Sequence, residues 1–124
     1  MKKMYLFAAA FLLISTVFAF IAFKETIVGK WKITYSSGNQ TTIIFRSNGT
    51  VRAEIPAEHF IVEGKYKMQG NILLVTDTSC GNGYWGKYKS TFFSNDSAYA
   101  EVIEDSCSGR RYTVDKQTLI RIKD

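Results

Sequence analysis

From Gly29 to the C-terminus, apolar and polar residues alternate with a period of two. Trp31 and Ile33, for example, alternate with Lys30 and Lys32. Because successive side chains of a β-strand point to opposite faces, this alternation predicts strands with one buried and one solvated face. Turn-forming residues interrupt the pattern at intervals of roughly 8–12 residues, which is typical of an all-β sandwich or barrel.

The alternation predicts eight or nine strands that are joined by short turns. They cover residues 29–35, 41–46, 51–55, 60–68, 72–77, 84–93, 98–104, 111–114 and 118–122. Asn48-Gly49 is a strong hairpin signal, and the connections are too short for a crossover helix between parallel strands. Closure into an up-and-down antiparallel β-barrel removes both sheet edges, so we expect that fold. Two packed sheets with Greek-key connections are the alternative.

The first 23 residues predict an apolar helix that precedes the barrel domain of residues 28–124. Lys2 and Lys3 precede an uncharged run over residues 5–23, and residues 17–19 resemble a signal-peptidase site. An uncleaved anchor is the alternative, because a helix over this run would span about 28 Å of the roughly 30 Å bilayer core. Both interpretations predict export of the barrel and confine membrane contact to this segment.

Composition excludes several classes of protein. The 124 residues have room for one domain, and a hydrophobic content of 46% argues against a disordered chain. The net charge of +5 falls to +3 without Lys2 and Lys3, which is too small to indicate a nucleic-acid partner. The single histidine, His59, argues against a histidine-built metal centre, so we predict neither metal nor cofactor.

Two cysteines, Cys80 and Cys107, lie in the predicted loops before the sixth and after the seventh strand. In an oxidising compartment such a pair forms a disulfide. The two loops lie at the same end of a meander, where loop reach can bring the cysteines together. The bond would stabilise the domain by about 3–4 kcal/mol. A pair of buried thiols is the alternative.

The predicted inward rows of the barrel are rich in aromatic residues. They comprise Trp31, Ile33, Tyr35, Ile43, Phe45, Val51, Ile55, Phe60, Val62, Tyr66, Met68, Tyr84, Tyr88 and Phe92. An eight-stranded barrel is just wide enough either to be filled by side chains or to hold one small ligand. A filled barrel would suit an interaction or structural module that acts through its outer face or loops. A pocket for a small apolar molecule would be lined by Tyr35, Phe45, Tyr66, Tyr84, Tyr88 and Phe92.

Catalysis has weak support in the sequence. Glu101, Glu104 and Asp105 are close together, but Glu101 and Glu104 would face opposite sides of a strand, so the three are interpreted as solvated surface charge. Glu58 and His59 are adjacent in a loop, with no nucleophile tied to them. We therefore expect no enzymatic activity.

Lysines recur at outward positions of the predicted fourth and sixth strands, namely Lys65, Lys67, Lys87 and Lys89. Such a basic face suits contact with an anionic lipid or polysaccharide. Lysines on strands also serve solubility and edge protection, and the sequence leaves both interpretations open.

Gly29-Lys30-Trp31 opens the first predicted strand, just after the apolar N-terminal segment. It resembles the G-x-W signature of the lipocalin-like (calycin) barrels. Further motifs resemble small exported bacterial domains of that kind, namely Asn48-Gly49-Thr50, Gly64-Lys65-Tyr66, Asn71-Ile72-Leu73, Cys80, Gly86-Lys87-Tyr88 and residues 105–110. The resemblance covers about residues 28–122. It implies an exported binding protein for a small apolar or amphiphilic molecule.

The resemblance also implies that Trp31 closes one end of the barrel beneath a basic residue from late in the chain. The candidates are Arg110, Arg111 and Arg121. We favour Arg121, because barrel closure places the end of the last strand beside the start of the first. A guanidinium over an indole contributes about 0.5–2 kcal/mol. Gly29, Trp31 and Arg121 then form the barrel-closing signature.

Overall fold

The structure is a computed structural model that describes residues 26–81 and 83–123. Eight antiparallel strands form a closed barrel, which confirms the predicted all-β fold. The elements are β1 (Gly29–Thr34), β2 (Gln40–Phe45), β3 (Thr50–Ile55), β4 (Phe60–Gln69), β5 (Ile72–Asp77), β6 (Gly86–Ser94), β7 (Ser97–Glu104), α1 (Ser108–Val114) and β8 (Gln117–Arg121). The signal peptide or anchor predicted over residues 1–23 lies outside the described residues.

Each strand pairs with its neighbour in the chain, and β8 pairs with β1 to close the ring. In the closing register, Trp31 lies opposite Arg121, and Lys32 lies opposite Ile120. This is an up-and-down meander, so the alternative of two packed sheets with Greek-key connections is wrong. The alternation maintains this register, because a shift by one residue would turn the core side chains of a strand towards solvent.

The two ends of the barrel differ. The start of β1 and the tight β2–β3, β4–β5 and β6–β7 turns meet at one end, which we call the closed end. The longer connections meet at the other end, which we call the mouth. They contain the 3-10 turns Pro56–Glu58 and Thr78–Cys80 and the helix α1. Loops on a rigid scaffold commonly carry functional residues, so we expect a functional site at the mouth.

The strand predicted over residues 111–114 is wrong, because Ser108–Val114 forms the helix α1. The ring is complete without this segment, since Ala100 of β7 pairs directly with Gln117 of β8. The closed ring leaves the segment no neighbouring strand edge, whereas a helix satisfies its own backbone hydrogen bonds. Tertiary context thus overrides the local strand propensity of its aromatic and β-branched residues.

Several predicted strand boundaries shift by one or two residues, and two of these shifts move a residue predicted to bind a ligand. β1 ends at Thr34 rather than Tyr35, and β6 begins at Gly86 rather than Tyr84. Tyr35 and Tyr84 therefore lie in the connections at the mouth instead of in the inward rows of strands.

Inward residues of all eight strands form the core. The buried apolar residues are Ile27, Trp31, Ile33, Ile43, Phe45, Val51, Tyr66, Leu73, Tyr88, Ala98, Ala100 and Leu119. The rings of Trp31 and Phe92 meet edge to face with centroids 6.2 Å apart, and those of Phe45 and Tyr66 do so at 5.0 Å. Phe60 shares the inward row of Val62, as predicted, and is 45% exposed because it begins β4 at the mouth.

Candidate functional site

The barrel encloses a cavity of about 610 Å³ that opens at the mouth. This volume is in the range of small-molecule sites in proteins. Ile43, Ala53 and Val62 lie side by side across β2, β3 and β4 and line one wall. Ala98 and Ala100 of β7 also line the cavity, and their small side chains leave space in the interior. The described side chains therefore do not fill the barrel.

The helix α1 lies at the mouth and contributes Tyr112 and Thr113 to the cavity wall. Its C-terminal end is tied to the barrel by two hydrogen bonds. The hydroxyl of Tyr35 donates to the Thr113 carbonyl at 3.0 Å, and the Val102 amide donates to the Asp115 carboxylate at 2.8 Å. These bonds join the helix to both the β1 and the β7 sides of the mouth.

A disulfide ties the other end of α1. Cys107 directly precedes the helix, and Cys80 ends the 3-10 turn Thr78–Cys80. Their Cα atoms are 5.5 Å apart and the two cysteines are bonded, which confirms the predicted pairing. The helix is thus fastened at both ends and forms a fixed cover over part of the mouth.

A buried network of charges lies between α1 and the barrel. Arg110 donates through Nε and Nη2 to the two carboxylate oxygens of Asp105 at 2.7 and 2.9 Å, and through Nη1 to Asp77 at 3.1 Å. The side chains of Arg110 and Asp77 are 7% exposed, and that of Asp105 is fully buried. Two-point Arg–carboxylate contacts of this kind hold both partners in one geometry.

The interpretation of Asp105 as solvated surface charge is wrong. Its carboxylate also accepts hydrogen bonds from the Tyr88 hydroxyl and, at 2.9 Å, from the Cys107 amide. Burial favours the protonated form, but the hydrogen bonds, above all that from Arg110, lower the pKa of Asp105. Burial and the adjacent Asp105 carboxylate raise the pKa of the Tyr88 hydroxyl. Gly86 makes room for the network, because a side chain there would collide with Asp105.

Sequence reasoning did not identify this network. Asp77 and Arg110 are 33 residues apart in the chain and meet only because their two connections share the mouth. The glycine that opens β6, Gly86, is the one local feature that indicates a close approach of another group.

Phe60 and Tyr112 form the open rim of the mouth. They are 45% and 82% exposed, and both also line the cavity. The charged side chains that line the cavity are Glu58, Asp77 and Arg110. Among the described residues that line the cavity, negative charge therefore exceeds positive charge, although the chain as a whole is basic.

The residues predicted to bind a ligand are distributed over several places. Phe45 and Tyr88 line the cavity. Tyr66 and Phe92 line a smaller cavity of about 400 Å³ at the closed end. Their role in ligand binding stays a prediction.

The four tyrosines that were predicted to line a ligand pocket form hydrogen bonds within the protein through their hydroxyls. The partners are the Thr113 carbonyl for Tyr35, the Arg46 carbonyl for Tyr66 at 2.7 Å, the Ser106 amide for Tyr84 at 2.8 Å and the Asp105 carboxylate for Tyr88. Tyr35 and Tyr84 line neither of the two cavities described above. These hydroxyls fasten loops and strands, so a ligand needs other polar contacts.

Arg121 covers Trp31 at the closed end. Its guanidinium carbon lies 4.2 Å from the centroid of the Trp31 ring, and Trp31 is fully buried with its Nε1 donating to the Ile27 carbonyl at 2.8 Å. The Arg121 guanidinium also donates to the carbonyls of Thr26 and Val28, both at 2.7 Å, and of Asn95 at 2.9 Å. A side chain at Gly29 would collide with this guanidinium. Gly29, Trp31 and Arg121 thus form one contact unit.

The four outward lysines are exposed on β4 and β6. Glu101 lies opposite Lys89, and Glu104 lies opposite Lys87, on the neighbouring β7. Opposite charges across a strand pair stabilise a sheet by roughly 0.2–1 kcal/mol. Part of this basic face therefore lies beside acidic residues of the neighbouring strand.

No known protein family, curated protein or solved structure matches the chain at a significant level. Within the ranges 26–81 and 83–123, no helix is long and apolar enough to cross a membrane. The same ranges contain no group of three or more His, Cys, Asp or Glu residues placed to hold a metal ion. The fold and the site together define an eight-stranded antiparallel barrel with an internal, largely apolar cavity.

Proposed function

We propose that the protein is an exported, lipocalin-like binding protein that holds a small apolar or amphiphilic molecule inside its barrel. The observation that carries this proposal is the cavity of about 610 Å³, whose lining is mostly apolar. Transfer of apolar surface from water into such a cavity is favourable. Because α1 is fastened at both ends, the rim at Phe60 and Tyr112 is the expected route of access.

Two contacts support the finer parts of the proposal. The stacking of Arg121 on Trp31 supports the lipocalin-like assignment that Gly29-Lys30-Trp31 suggested. The Cys80–Cys107 disulfide supports export, because such bonds persist in oxidising compartments.

We propose a role without catalysis. Asp77 and Arg110, two charged residues of the cavity wall, are paired with each other, which favours a structural role for them over an acid–base role. The alternative of an interaction module with a filled barrel is disfavoured by the same cavity.

The test is titration of the full chain with N-phenyl-1-naphthylamine, a neutral apolar dye whose fluorescence rises when it leaves water. Ala53 is half-buried and lines the cavity, so Ala53→Trp places an indole inside it. Lys65→Trp adds the same ring on the exposed outer face of β4 and is the matched control.

We expect saturable binding by the parent and by Lys65→Trp. Binding by Ala53→Trp is expected to be weaker by about tenfold or more, because the indole occupies space that the dye needs. Since overpacking also destabilises cores, near-UV circular dichroism establishes that Ala53→Trp is folded, and Ala53→Leu provides a smaller filling. The proposal would be contradicted if the parent showed no saturable binding. It would also be contradicted if the Ala53→Trp and Ala53→Leu variants bound the dye as tightly as the parent.

A further inference from the structure

Ser90 lies in the inward row of β6, between Tyr88 and Phe92. It is 5% exposed, and it lines both the main cavity and the smaller cavity at the closed end. Its amide donates to the Asn71 carbonyl in the β4–β5 turn at 2.7 Å, which places it towards the closed end of the barrel. A serine thus stands at the inner end of the main cavity, far along the barrel from the mouth.

The hydroxyl of Ser90 has no hydrogen-bond partner among the side-chain and backbone atoms of the described residues. Within those residues, every side-chain nitrogen or oxygen that is fully enclosed by protein has a partner. The Ser90 hydroxyl is therefore reached from the cavity instead of being enclosed. A hydroxyl exposed to the cavity can bond to a molecule held there, whereas an alanine at the same position would offer that molecule no hydrogen bond.

The surroundings of Ser90 leave room for a partner from outside the protein. Ser90 lies opposite Ala100 on β7. Ala98 lies two residues before Ala100 in the same inward row of β7. Both alanines are 2% exposed and line the cavity. The charged residues of the cavity wall belong to the connections at the mouth or border them, as Asp77 and Arg110 do. Ser90 is accordingly a polar contact in a part of the cavity where the neighbours on β7, Ala98 and Ala100, are small and apolar.

We propose that Ser90 is a specificity-determining residue that binds a polar group at the end of the ligand that enters the barrel first. This inference rests on the proposed binding function and adds a ligand class. A hydroxyl both donates and accepts, so the class comprises apolar molecules with a hydroxyl or carbonyl at the inserted end. A hydrocarbon of the same shape cannot make this hydrogen bond, so it lacks the contribution of Ser90 to the affinity.

The experiment is displacement of N-phenyl-1-naphthylamine from the full chain by 4-phenylphenol and by 4-methylbiphenyl. The two competitors have nearly the same shape and differ in a hydroxyl against a methyl group. The quantity measured is the ratio of their dissociation constants, methyl over hydroxyl. Loss of one neutral hydrogen bond should lower this ratio in Ser90→Ala by about tenfold.

Two variants separate the role of the hydroxyl from an effect on folding. Ser90→Thr keeps a hydroxyl at the same position, so its ratio of dissociation constants should stay close to that of the parent. Thr91→Ala removes a hydroxyl from the next, outward-facing residue of β6, so its ratio should equal that of the parent.

The outcomes distinguish this inference from the proposed function. If the parent binds the dye and both competitors but the ratio in Ser90→Ala stays within twofold of the parent, the assignment of Ser90 is wrong and the binding function stands. The assignment is equally wrong if Ser90→Thr falls as far as Ser90→Ala. A parent that binds neither dye nor competitors overturns both.

Discussion

The guanidinium of Arg121 stacks 4.2 Å above the ring of Trp31, so the last strand places a planar cation over the buried aromatic residue of the first. The same guanidinium donates three hydrogen bonds to backbone carbonyls at the closed end. One side chain therefore joins the beginning of the barrel, its final strand and the β6–β7 turn.

We expect Arg121→Ala to lower the free energy of unfolding by about 2 kcal/mol, because the stacking and hydrogen bonds are lost together. Arg121→Lys should recover only part of this, since an ammonium neither stacks as a plane nor reaches three carbonyls at once. Urea denaturation followed by tryptophan fluorescence measures both. Arg111→Ala is the control, because Arg111 is exposed and makes one long hydrogen bond of 3.4 Å. Equal stability of the Arg121→Ala and Arg111→Ala variants would show that the stacking contributes little.

Gly29 has a backbone φ of +138° and lies against the Arg121 guanidinium. Gly29→Ala should therefore be more destabilising than the roughly 1 kcal/mol expected for a positive-φ glycine alone. Gly38→Ala is the matched control, because Gly38 has a φ of +90° but no atom within 4 Å of an added Cβ. In an Arg121→Ala background the cost of Gly29→Ala should fall to that of Gly38→Ala. Full additivity of the two substitutions would rule out the predicted collision.

Asp105 predicts a pH dependence of stability. Despite its burial, its hydrogen bonds hold its pKa below the unfolded value of about 3.9. A carboxyl with a lowered folded-state pKa stabilises the protein above the unfolded pKa, and this contribution is lost as the pH falls through the folded-state pKa. The parent should therefore lose stability on acidification below about pH 4, and Asp105→Asn should lack this part of the decrease.

At neutral pH, Asp105→Asn should cost about 3–5 kcal/mol, because the buried Arg110 keeps only Asp77 as a charged partner. Urea denaturation between pH 2.5 and pH 7 measures both effects. Glu101→Gln removes an exposed carboxylate of β7 that lies opposite Lys89, and should stay within about 1 kcal/mol of the parent. An Asp105→Asn variant that follows the parent across this range would show that the network does not hold α1 in place.

Most strands and turns of the barrel could be predicted, because residue alternation and turn-forming residues are local features of the sequence. Alternation assigned Trp31, Ile43 and Phe45 to the interior, and Asn48-Gly49 marked a hairpin turn. The helix α1 could not be predicted, because its residues favour a strand and only the completed ring denies them a partner edge.

The candidate site was less predictable than the fold. The tyrosines were predicted to line a ligand pocket, yet Tyr35 and Tyr84 line neither cavity, and the tyrosine hydroxyls bond to loops and strands. The small residues Ala98 and Ala100 instead leave space in the inner part of the cavity, beside Ser90. Inward or outward direction follows from alternation, but free space depends on the side chains of neighbouring strands, whose positions are set only when the ring closes.

The sequence by itself predicted the antiparallel meander from periodicity and turn chemistry, and the disulfide from its two cysteines. The resemblance of Gly29-Lys30-Trp31 implied a basic residue over Trp31, and the order of strands around a ring favoured Arg121. Only the tertiary structure decided which charges are buried and where the interior is empty. Asp77, Asp105 and Arg110 come together from separate connections, and the cavity is the volume that eight inward rows leave between them. Such properties depend on three-dimensional distances between residues far apart in the chain, which local patterns do not contain.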